Sequence, residues 1–122
     1  MKIASLRADV PVQVTGETLD HILYEALNAG GVSAWADRAR AVGDKLGDRV
    51  CEQVSNGGEI RIHEIDGAWF VLNRRNLLDG IKQYVEESCH VRIEDGQLAL
   101  EDLSESDADV IVQFAIFGEV KY

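Results

Sequence analysis

Residues 59–72 read EIRIHEIDGAWFVL. Ile60 and Ile62 alternate with polar neighbours, the period of two that sends one side of a strand into a core. Asp66-Gly67 follows, and residues 68–72 are aromatic and branched, so the stretch predicts a β-hairpin closed by a tight primed turn. Downstream, Asn73 can cap a helix that carries Leu77, Leu78, Ile81, Tyr84 and Val85 on one face. Gly80 inside that helix costs about 1 kcal/mol relative to alanine, which points to close packing of a neighbour. A second Asp-Gly pair, Asp95-Gly96, between HVRIE and QLALEDL predicts a second, weaker hairpin. Ser104 to Asp107 offer capping side chains, and Val110, Ile111, Phe114, Ala115 and Phe117 make an apolar helix that Gly118 ends.

Upstream, residues 10–15 (VPVQVT) alternate around Pro11, which suits an edge strand or a strand start. Thr15 can cap a helix whose buried stripe is Leu19, Ile22, Leu23, Ala26 and Leu27, stopped by Gly30-Gly31. Residues 32–42 are expected to be helical or irregular. Asp48 can cap a short helix containing Val50, Cys51 and Val54, ended by Asn56-Gly57-Gly58. These elements predict an α+β fold with about four helices, two β-hairpins and an N-terminal strand around one core, with residues 1–122 as a single domain.

The 122 residues are enough to bury roughly two thirds of the unfolded surface, and 46% hydrophobic with 28% charged side chains is the composition of an ordinary soluble globule. No stretch reaches the apolar length of a signal peptide or a membrane span, so a cytoplasmic location is expected. Cys51 and Cys89 lack C-x-x-C spacing and read as buried free thiols.

The charge is uneven. Residues 94–122 hold eight acids and one base, so about −7 of the formal −10 lies there, whereas the first 61 residues hold nine acids and seven bases. A pI near 4.6 argues against direct binding to nucleic acid, because phosphate contacts need a basic footprint. The candidate surface is Glu94, Asp95, Glu101, Asp102, Glu105, Asp107 and Asp109. Part of it serves a helix N-terminus, where acids complement the dipole. The remainder is either a solvated face or a row of carboxylates that imitates a phosphate backbone toward a basic groove.

No catalytic constellation is present. His21, His63 and His90 share no motif, Ser33, Ser55 and Ser88 have no nucleophile turn, and the glycine clusters lack phosphate-loop form. Without D-x-D-x-D-G spacing, neither a metal nor another cofactor is expected. Trp69, Phe70, Phe114 and Phe117 read as core volume. Trp35, beside Asp37, Arg38 and Arg40, reads as core, pocket wall or contact anchor; with Arg38, Arg74 and Arg75 it outlines a possible pocket.

Across about residues 15–122 the chain resembles a group of small, acidic, mostly uncharacterised proteins carried by phages, prophages and integrative elements of gut Firmicutes and Actinobacteria. The resemblance rests on Gly30-Gly31 followed by Trp35, on Ser55, Gly57 and Gly58 before a strand, and on the closing run Gln113, Phe114, Ala115, Phe117, Gly118 and Glu119. It implies a mobile-element context, in which short accessory genes often encode inhibitors of host defence, including anti-CRISPR proteins. The leading expectation is therefore a non-enzymatic inhibitor whose acidic face occupies a basic surface of a host defence or nuclease complex. Alternatives are a small-molecule or nucleotide-sequestering domain, with Trp35 stacking on a base, and a structural or regulatory homo-oligomer, for instance a homodimer.

Overall fold

The predicted hairpin pairs β4 (Glu59–Glu64) with β5 (Trp69–Leu72), antiparallel, in a computed structural model that describes residues 2–4, 11–88 and 92–122. Its turn differs from the expected one. His63 stands opposite Trp69, and the Glu64 amide donates to the Ala68 carbonyl, so three residues form the loop, with Asp66 left-handed at φ 57°. The reason lies outside the hairpin: the Ile65 amide is drawn off to the Trp35 carbonyl, 2.8 Å away. The two-residue primed turn occurs instead in the second hairpin, β6 (Ile93–Glu94) with β7 (Gln97–Leu98), where Asp95 and Gly96 take φ 52° and 77°.

Residues 32–42, expected to be helical or irregular, form a turn and then a third strand of the same sheet, β3 (Ala36–Val42), antiparallel to β4. Arginine and alanine are good helix formers, but register decides: Ala39 and Ala41 stand opposite the buried Ile62 and Ile60, while Arg38 and Arg40 are exposed. The order is β3-β4-β5. A second sheet has the order β1-β2-β7-β6, in which β2 (Pro11–Gln13) pairs antiparallel with β1 (Lys2–Ala4) and parallel with β7. Val10, His90 and Val91, expected in strands, and Cys89 lie outside the described residues.

The described residues contain three α-helices rather than about four: α1 (Gly16–Leu23), α2 (Arg74–Glu87) and α3 (Glu105–Phe117). The helix expected after Asp48 is a single 3-10 turn, Val50–Glu52, because its apolar residues are too few to pack a longer one. Local chemistry starts each α-helix: Thr15, Asn73 and Ser104 accept hydrogen bonds from the amides of Thr18, Asn76 and Asp107. A π-helical turn, Tyr24–Asn28, extends α1. α2 lies along α3, and the apolar residues Ile111 and Val112 of α3 are fully buried within the chain. One contiguous cluster joins both sheets to all three helices, and Cys51 is buried in it as a free thiol. No helix among the described residues is long and apolar enough to cross a membrane.

The last two residues fold back as a clasp. Gln113, fully buried, accepts at Oε1 from the amides of Lys121 and Tyr122, at 2.8 and 2.9 Å. The Tyr122 ring stacks on Trp35 with centroids 5.6 Å apart, and its hydroxyl donates to Glu64, which also receives Lys121 Nζ at 2.9 Å. The Tyr122 and Lys121 hydrogen bonds hold the Glu64 carboxyl below its ordinary value of 4.5, and Glu64 in turn raises both partners. A depressed carboxylate stabilises the fold above its unfolded value, and that contribution disappears as pH falls through the folded value. Raised lysine and tyrosine groups stabilise below their unfolded values and lose that contribution as pH rises through the folded ones. The clasp is therefore expected to hold near neutrality and to open at both extremes, below about pH 4 and above about pH 10. Hydrogen exchange at the Lys121 and Tyr122 amides, corrected for intrinsic rates, checks this; protection that persists unchanged into both extremes contradicts it.

Candidate functional site

The seven acids proposed as a partner surface do not form one free face. Arg92 gathers three of them: its Nη2 lies 3.2 Å from Glu94 and 2.7 Å from Glu101, and its Nε lies 3.0 Å from Asp102. Two others are spent inside the fold. Asp107 accepts from the Ser104 amide and hydroxyl at Oδ2 and from the Tyr84 hydroxyl at Oδ1, 2.8 Å away. Burial, with Asp107 as a further cause, pushes the Tyr84 phenol far above its ordinary value. Asp109 Oδ1 accepts from Trp35 Nε1 at 2.7 Å and from Gln113 Nε2 at 3.0 Å. Asp95 and Glu105 remain exposed.

The possible pocket of Trp35, Arg38, Arg74 and Arg75 is not assembled either. Trp35 is only 2% exposed, edge-on to Phe117 and beneath Tyr122, so it is a core residue and offers no surface for stacking. Arg74 donates to the Ser55 carbonyl at 2.7 Å and lines a separate groove with Thr15 and Leu19. Arg75 is exposed beside it at the start of α2, and Arg38 lies on β3.

What register brings together instead is a basic and aromatic face on the outer side of β3-β4-β5. One cross-strand row is Arg38, His63 and Trp69; the next is Arg40, Arg61 and Val71. The alternation that buries Ile60 and Ile62 turns these six away from the core. Arg38 Cζ and Arg40 Cζ lie 5.1 and 5.5 Å from the centroid of the Trp69 indole, within cation–π range. His63 Nδ1 is 2.6 Å from Asp37, whose carboxyl it holds below the usual range, and Arg38 Nε is 3.7 Å from the same oxygen. The Arg38 charge is thus partly answered.

Arg40 and Arg61 are different. They stand directly opposite one another, and no carboxylate among the described residues pairs with either. Glu59, two positions along β4 on the same side, accepts from Asn73 Nδ2 at 3.1 Å. Like charges directly opposite destabilise a sheet, so the fold gains nothing from this pair. Together with Trp69, Ala41, Val42 and Gly43 the two arginines line an open groove of about 390 Å³. The sequence contained the alternation that would have found this face, Arg38-Ala39-Arg40-Ala41 against Arg61-Ile62-His63, but only the register puts Arg40 on Arg61.

No group of histidine, cysteine or acidic side chains among the described residues could hold a metal ion. The chain matches no protein-family model, no curated protein and no solved structure with which it was compared.

Proposed function

We propose that this protein acts by binding, without chemistry of its own, and that the outer face of β3-β4-β5 receives an anionic ligand through Arg40 and Arg61. The observation that carries this is the opposed, unanswered guanidinium pair in a chain with 22 acids and 12 bases. An anion between two planar forks turns their repulsion into two charge-assisted hydrogen-bonding contacts. The nearby indole and the groove give such a ligand a partly shielded seat, where charge contacts are stronger than in open water.

Calorimetric titration with pyrophosphate tests it. Wild-type protein is expected to bind, more weakly as salt rises, and the double variant Arg40→Gln/Arg61→Gln to lose at least about tenfold in affinity. Arg61→Gln alone is expected to leave thermal stability unchanged or slightly raised, by a few tenths of a kcal/mol, since it removes a like-charge pair. Destabilisation beyond about 1 kcal/mol would assign Arg61 a structural role instead.

A second function rests on the carboxyl-terminal charge. Three carboxylates around one arginine leave two negative charges in excess, and Asp95 and Glu105 add to them. This supports, in reduced form, an anti-CRISPR-like or other anti-defence inhibitor docking on a basic host protein. Neutralising Glu94, Asp95, Glu101, Asp102 and Glu105 would then abolish salt-sensitive capture by such a complex; unchanged capture removes the idea.

A further inference from the structure

We infer that the anion held on this face is a nucleoside diphosphate, its base stacked on Trp69 and its two phosphates on Arg40 and Arg61; this rests on the sheet-face function above. β5 and β3 are separated by β4, yet the Trp69 indole centroid comes within 5.5 Å of Arg40 and 5.1 Å of Arg38. The Arg38 and Arg40 side chains therefore reach over β4 to the indole, which also meets the His63 ring of the neighbouring strand at 4.8 Å. Trp69 still exposes 38% of its surface. An indole that keeps more than a third of its surface in water can take a second planar ring, and such stacking is indifferent to which base is presented.

The phosphate end follows from the same rows. Arg40 is the one residue that touches both parts of the site: its guanidinium is near the indole, and its cross-strand neighbour is Arg61. A ligand with an aromatic ring at one end and two adjacent phosphates at the other meets the indole and both forks at once. Val71, exposed beside Arg61, and Val42 at the groove end provide apolar wall for the sugar. The groove volume of about 390 Å³ lies within the range of small-ligand sites.

Charge selects against longer ligands. The chain as a whole carries a formal charge of −10 even with these arginines counted, so an extended polyanion that overruns the patch meets repulsion. A diphosphate ends where the arginines end. An acidic peptide would satisfy the guanidiniums but leave the indole without a planar partner.

The experiment compares ADP, pyrophosphate, a ten-residue single-stranded oligonucleotide and a Glu-rich peptide by calorimetry on the wild type, Trp69→Ala and Trp69→Phe. ADP is expected to bind about tenfold tighter than pyrophosphate, the contribution of one stacked base. Trp69→Ala reduces that ratio to near one, and Trp69→Phe, which keeps a ring, restores most of it. If pyrophosphate binds but ADP is no tighter, or the ratio survives Trp69→Ala, the nucleoside assignment is overturned while the anion site stands. If neither anion binds, both fail. An oligonucleotide or peptide that outcompetes ADP overturns the assignment in favour of a macromolecular ligand.

Discussion

Replacing Gly80 by valine is expected to destabilise the protein by about 3 kcal/mol or more. A Cβ at this position would stand 2.6 Å from the Ile111 carbonyl oxygen and 2.9 Å from both the amide nitrogen and the Cβ of Ala115. Two of those three atoms are backbone, so no rotamer change relieves the overlap, and α2 must move off α3. The separation would open the seam that buries Leu77, Ile81 and Ile111. Alanine makes the comparison informative. It recovers up to about 1 kcal/mol of helix propensity, so Gly80→Ala is expected to be clearly less harmful than valine but still destabilising. Urea unfolding midpoints at constant slope would report both; a stabilised Gly80→Ala would mean that the helices are not in close contact.

The second large effect is expected at Gln113. Its side chain joins three parts of the chain: Nε2 donates to Asp109, which also receives the Trp35 indole, and Oε1 accepts the Lys121 and Tyr122 amides. Gln113→Ala leaves two backbone donors without their acceptor and opens a cavity at a fully buried site, for a combined loss of about 3 kcal/mol. Gln113→Leu restores most of the volume and none of the acceptor. It should recover stability but not the slow exchange of the Lys121 and Tyr122 amides. If leucine restores both, the clasp is held by the stacking of Tyr122 on Trp35 and by Glu64, and the amide contacts are incidental.

What could be read in advance was mostly local. Thr15, Asn73 and Ser104 announce helix starts because a cap is settled within four residues, and Gly80 announces close packing because glycine inside an amphipathic stripe needs a reason. The strand Ala36–Val42 was hidden by composition. Its alternating alanine and arginine carry little β propensity, and pairing with Ile60 and Ile62 supplies what the residues lack. The three-residue turn at Asp66 was hidden because the Ile65 amide answers to a carbonyl thirty residues upstream.

The site was harder still. The acids of residues 101–109 stood out by density, yet their fates depend on partners distant in sequence, Trp35 and Tyr84, and on Arg92 just outside the acidic segment. Trp35 drew attention through its charged neighbours, although its own ring is enclosed. Trp69, read as core volume by its size, is the exposed one, because its register position opposite His63 turns it outward; which side of a strand faces water follows from the alternation, but what stands beside it follows from register.

The most direct measurement is a backbone-amide NMR titration with pyrophosphate. Resonances of Arg40, Arg61 and Trp69 are expected to shift together and saturate, while those of residues 101–109 stay in place. Shifts confined to residues 101–109, or none anywhere, would contradict a ligand face on β3-β4-β5.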